Sequence, residues 1–198
     1  MTKRIDKKSK FIETQKSKTG IYFLTGVVIL ALIAVGGYAL AGKSADTNAS
    51  LTNVGAVDYT NQNVEFAKVQ ATEANGDVVI DFKELQDKKM TTFDVQGINF
   101  TLNNGTPFTS LPLLAYVSPK GNVVVATSLC EPCSGIYFHV EGNELVCNAC
   151  GTRWDLETLQ GISGGCPQYP PDKVKYTVEG DKLIIKKADL ENWKPRAI

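Results

Sequence analysis

Two Cys-x-x-Cys pairs, Cys130-Glu131-Pro132-Cys133 and Cys147-Asn148-Ala149-Cys150, stand in the last third of the chain. Such a turn brings two sulfurs to one side of the backbone. Two turns facing each other supply the corners of a tetrahedron, a ready site for zinc or for an iron–sulfur cluster. A fifth cysteine, Cys166, follows in Gly164-Gly165-Cys166-Pro167. Other uses of five cysteines stay open. A disulfide framework is the ordinary use outside the cytoplasm, although an odd count leaves one thiol over and short Cys-x-x-Cys loops are poor staples. Thiol–disulfide exchange favours Cys-x-x-Cys at a helix N-terminus, whereas the flanks here read as strands and turns.

The rest of the chain says where that site is held. Residues 1–20 carry seven Lys and Arg against Asp6 and Glu13, and read as a cytoplasmic basic tail. Residues 21–42 contain no charge; as a helix they would span about 33 Å, enough for a hydrocarbon core of roughly 30 Å. Tyr22 and Tyr38 lie near the two ends, where amphipathic rings prefer the interface. The expectation is a single transmembrane signal anchor, N-terminus cytoplasmic, with everything beyond it extracytoplasmic. A cleaved signal peptide is the alternative, since Ala39-Leu40-Ala41 has small-residue cleavage character. Residues 43–60 are small and polar and read as a linker, and 61–198 as the extracytoplasmic domain. That body is mildly acidic and has no basic patch, which argues against nucleic-acid binding.

Strand signals dominate 61–198. Val78-Val79-Ile80 is a β-branched run. Residues 91–95 and 98–102 flank Gly97 in the manner of a hairpin or a bulged meander. Residues 113–117 and 122–126 flank Ser118-Pro119-Lys120-Gly121, while 136–140 and 145–146 flank Glu141-Gly142-Asn143. Near the end, 174–178 and 182–186 flank Glu179-Gly180-Asp181. Only 82–88 and 188–193 suit short helices. The fold class expected is mainly β, an antiparallel sandwich with each Cys-x-x-Cys at the end or tip of a hairpin. Gly135 and Gly151 then let the backbone turn so that amides point at the sulfurs.

The single histidine, His139, alternates with Phe138 and reads as solvent-facing or structurally hydrogen-bonded, not as a ligand. Neither Cys-x-x-Cys is followed by His, which excludes covalent c-type haem. No nucleophile–base pair and no phosphate loop is present, so no catalytic residue is expected.

The run Cys130-Glu-Pro-Cys133, Val146-Cys147-Asn-Ala-Cys150-Gly151 and Gly164-Gly165-Cys166-Pro167 resembles the FtrD-like family of membrane iron–sulfur proteins. The likeness covers roughly residues 75–187. It implies that Cys130, Cys133, Cys147, Cys150 and Cys166 are the functional set and that the cofactor is an iron–sulfur cluster. It further implies electron transfer associated with ferrous iron uptake beside an iron permease. Here Pro167 follows Cys166 directly, where the family pattern has one residue between. The same segment is distantly similar to Rieske domains, with Cys133 and Cys150 where histidines would stand and Trp154-Asp155-Leu156 following the second knuckle. Replacing imidazole by thiolate adds negative charge and lowers the reduction potential. The residues alone leave two other classes open: a structural zinc site in an interaction module, and an extracytoplasmic thiol oxidoreductase.

Overall fold

The computed structural model describes residues 52–198. The basic tail, the expected membrane helix and the first part of the linker lie outside the described residues. Among those described, no helix is long and apolar enough to cross a membrane.

Among the described residues, thirteen strands form three sheets, antiparallel except at one pairing. The middle sheet has the order β2(Ala67–Lys68), β5(Met90–Thr101), β6(Pro107–Val117), β7(Val123–Thr127), with only β2 and β5 parallel. A second sheet runs β12(Thr177–Glu179), β13(Lys182–Lys186), β4(Asp77–Asp81), β3(Thr72–Ala74). The third runs β1(Asn63–Glu65), β8(Phe138–Glu141), β9(Glu144–Cys147), β10(Arg153–Asp155), β11(Gly161–Ser163), and carries the cysteine loops at its end.

The middle sheet explains why there are three sheets and not the expected two-sheet sandwich. A strand with one wet face alternates apolar and polar; Val123–Thr127 does not, and all five residues are buried. Its side chains go alternately to two cores. Val123 and Val125, with Leu111, Leu113 and Ala115 of β6, join Val78, Ile80, Leu183 and Ile185 of the second sheet. Val124 and Ala126, with Leu114 and Tyr116, join Phe138, Val140, Leu145 and Trp154 of the cysteine sheet. Each fully buried side chain of this kind contributes roughly 1.5–3 kcal/mol.

The runs on either side of Gly97 form one long strand. Gly97, at φ 78°, sits in a register break between Gln96 and Phe100, so a bulge replaces the turn. The turns at 118–121, 141–143 and 179–181 join paired strands as expected. Residues 174–176 differ from expectation: Val174 N–H donates to the Val125 carbonyl, and the Tyr176 hydroxyl to that of Val123. That segment borders β7, and only 177–179 pair with β13.

The helix α1(Phe82–Lys88) forms where expected. The Asp81 carboxylate accepts from the Glu84 amide at 3.0 Å and caps it, while Phe82 and Leu85 turn into the core. Residues 188–193 give only a 3-10 turn, Lys187–Asp189. Beyond it the Trp193 indole N–H donates to Asp172 at 3.0 Å, starting a tail that reaches the first cysteine loop.

Candidate metal centre

The two cysteine loops share one backbone plan. In the first, the Cys130 amide donates to the Gly135 carbonyl at 2.7 Å; in the second, the Cys147 amide donates to the Thr152 carbonyl at 3.0 Å. Each bond closes a loop five residues on. The residue directly after the second cysteine is left-handed in both, Ser134 at φ 58° and Gly151 at φ 68°. The first loop therefore turns at Ser134, not at Gly135 as the sequence suggested. Gly135 answers a different need. A Cβ there would lie 2.8 Å from the Cys147 sulfur, 2.9 Å from the Ala149 Cβ and 3.2 Å from the Cys133 sulfur.

The second loop is tied to the strand entry that follows the first by the Asn148 amide, which donates to the Tyr137 carbonyl at 3.0 Å. The result brings four thiols together. The sulfurs of Cys130, Cys133, Cys147 and Cys150 all lie within 4.8 Å of one another, and none is in a disulfide. Cys130 and Cys150 are separated by 3.9 Å, Cys133 and Cys147 by 3.7 Å. Four soft thiolate donors suit zinc or iron, and the space kept open by Gly135 adjoins them. The donor set fits a thiolate-held metal centre.

Crowding separates the thiols electrostatically. Cys147 is drawn down to about 5, first by the S–H of Cys130 and also by the amides of Cys150 and Ala149. Cys130 is pushed far up, because it donates to Cys147 and is buried. Burial raises Cys133 to about 12, against the S–H of Cys130 and the Gly135 amide, which favour its thiolate. Cys147 is thus the sulfur shifted toward its thiolate, and amides aim at two of the four.

Around this group stand two features the sequence reading missed. Glu131, between the first two cysteines, is 1% exposed. Its carboxylate accepts from the Arg196 backbone amide at 3.0 Å and from Arg196 Nε at 2.7 and 2.9 Å. Arg196 also donates to the Pro170 carbonyl at 2.6 Å and lies over the Tyr169 ring. An acidic residue inside a buried loop was a visible signal; its partner, 65 residues away, was not.

The second feature is Thr152, fully buried. Its hydroxyl is 3.2 Å from the Cys150 sulfur and accepts from the Cys166 amide at 3.1 Å. Gly164, at φ 105°, has no room for a side chain, since a Cβ would lie 2.6 Å from Thr152. The Gly-Gly-Cys-Pro turn therefore lies directly on Thr152, and the Trp154 indole ties it down through the Pro167 carbonyl at 3.1 Å. Cys166 is buried but is not one of the four grouped sulfurs. His139 bonds Asn148 at 2.7 Å and Glu141 at 3.0 Å, so both ring nitrogens are engaged. Burial opposes its charge, but these bonds outweigh that and raise its affinity for protons.

A mainly antiparallel β domain with four converging thiols able to hold a metal is the class that fold and site define. Comparison with protein families matches residues 85–196 to "Membrane iron-sulfur containing protein FtrD-like". The chain belongs to that family. Among curated proteins none matches. A solved structure, Sphingomonas yanoikuyae B1 ferredoxin, is similar at 19% identity over 46% of this chain and 86% of that one, with a TM-score of 0.33.

Proposed function

We propose that the protein is a membrane-anchored electron carrier whose metal centre is held by Cys130, Cys133, Cys147 and Cys150, serving iron uptake beside an iron permease. The observation that carries this reading is the convergence of four free thiols in a chain of a membrane iron–sulfur family. Iron held by four thiolates supplies reversible one-electron chemistry.

The chain's own residues do the rest. Cys147, the sulfur whose surroundings favour the thiolate, is the first anchor for a cation. The amides of Gly135, Ala149 and Cys150 share the negative charge that collects on the sulfurs. Burial of Cys130, Cys147 and Glu131 keeps water from one side. Cys150 and its neighbours Asn148, Ala149 and Gly151 are exposed, and form the side through which a redox partner exchanges electrons. With the basic tail in the cytoplasm, the domain that carries these residues is extracytoplasmic.

The thiol set suits zinc equally, and a structural zinc module is the second reading. The test is the full-length chain, purified anaerobically in detergent. An iron-containing, coloured protein that bleaches with a reductant and recovers on oxidation supports electron transfer. Cys147→Ser is expected to abolish the metal. A colourless zinc protein with no redox response overturns electron transfer, and full metal in Cys147→Ser overturns the ligand assignment.

A further inference from the structure

The distances among the four sulfurs bear on how many metal ions they can hold. A single ion with metal–sulfur bonds of ~2.3 Å at the centre of a regular tetrahedron sets all six sulfur–sulfur separations at ~3.8 Å. The Cys130–Cys150 and Cys133–Cys147 separations are 3.9 and 3.7 Å. These two edges share no sulfur, so they are opposite edges of the tetrahedron. None of the remaining four exceeds 4.8 Å.

A two-iron cluster asks for something else. Its four thiolates divide two and two, so four of the six separations run from one iron to the other, whichever cysteines are paired. Two edge-sharing tetrahedra with the same bond of ~2.3 Å put thiolates on different irons at least ~5.3 Å apart, and ~6.5 Å on the diagonal. The largest separation here, 4.8 Å, is smaller than the smallest of those. A four-iron cube needs wider spacing still.

Hydrogen bonds hold the loops at this spacing. Each is closed by its own backbone bond, the Asn148 amide ties the second to Tyr137 just beyond the first, and Glu131 is held by Arg196. Gly135 of the first loop faces the second, and a Cβ there would already meet the sulfurs of Cys133 and Cys147.

We infer that the four thiolates enclose a single metal ion, with no bridging sulfide. This rests on the proposed metal-centre reading and deepens it: the carrier is a mononuclear iron tetrathiolate. Such a centre needs neither assembled sulfide nor export of a preformed cluster, only four thiols and one cation. The reduced and oxidised forms differ by one electron on the same ion.

The test is the metal and acid-labile sulfide content of the anaerobically purified full-length protein, followed by cobalt(II) titration of the metal-free chain. Expected are one ion per chain, no sulfide, and a cobalt endpoint of one per chain with the ligand-field bands of a tetrahedral tetrathiolate. Two or more irons with matching sulfide would overturn the single-ion inference while leaving the metal-centre reading intact. One zinc without sulfide supports the single-ion inference and removes electron transfer. Failure to bind iron, zinc or cobalt overturns both.

Discussion

The two cysteine loops have the same backbone closure and the same left-handed residue after the second cysteine, yet they live in different surroundings. The first is buried or half-buried throughout, with an acidic residue locked inside the protein by the C-terminal tail. The second holds Cys147 inside but turns Asn148, Ala149, Cys150 and Gly151 to solvent. Equivalent positions have diverged accordingly. Gly135 leaves room for sulfur, while Thr152 fills its place with a hydroxyl directed at one. One loop is built as a foundation, the other as an accessible edge, and this asymmetry would give the proposed metal centre one side open to solvent.

The most direct effect on the sulfurs should come from the position where the loops meet. In Gly135→Ala the new methyl would be 2.8 Å from the Cys147 sulfur and 3.2 Å from that of Cys133. Neither sulfur can retreat without leaving the group. Overpacking of about 1–3 kcal/mol corresponds to metal affinity about 5–150-fold weaker. Competition with a chelator measures it. The equivalent change in the other loop, Thr152→Ala, adds no atoms and should retain far more affinity. Equal losses in the two would erase the distinction.

The foundation itself can be loosened next. Arg196→Ala removes the guanidinium from a carboxylate that is 1% exposed, leaving a buried charge without its partner. Breaking such a pair costs about 3–5 kcal/mol, and the low end applies because the guanidinium is itself about a third exposed. Denaturant unfolding of metal-free protein should show a loss of about 3 kcal/mol. Adding Glu131→Gln should restore most of it, since the orphaned charge is then gone. A single variant within about 0.5 kcal/mol of the parent would show that the tail does not brace the first loop.

How much of this could be read from the chain follows from how local each cause is. The hairpins at 118–121, 141–143 and 179–181 announce themselves through Gly and Pro between β-branched runs, and the four thiols through a spacing that one turn enforces. The three-sheet arrangement was written less plainly. Leu113-Leu114-Ala115-Tyr116-Val117 and Val123-Val124-Val125-Ala126 carry no alternation, which marks strands covered on both faces, but does not say by what. Gly135 was visible, yet its reason was not: the atom it makes room for belongs to Cys147, on another loop. Likewise nothing near Arg196 points to Glu131, and the purpose of Gly164-Gly165-Cys166-Pro167 emerges only once Thr152 lies beneath it. Contacts across distant segments left no periodic trace in either partner.

The smallest effect, and the most specific to the exposed edge, concerns Thr152. Its hydroxyl accepts from the Cys166 amide and, where Cys150 is a thiolate ligand, donates to that sulfur at 3.2 Å. A bond of this kind favours the more negative, reduced state of an iron-loaded centre, because it stabilises charge on the ligand. Removing it in Thr152→Val should lower the reduction potential. A net hydrogen bond of about 1 kcal/mol corresponds to about 40 mV for one electron. Thr152→Ser keeps the hydroxyl and should return to the parent potential, which a merely packing role would not do, since serine lacks the methyl that valine retains. If valine and threonine give the same potential, the Gly-Gly-Cys-Pro turn is only a structural cover. If the potential falls as expected, the turn acts on the centre through Thr152. Cys166 then contributes by its backbone amide, and Cys166→Ala should leave the potential nearly unchanged.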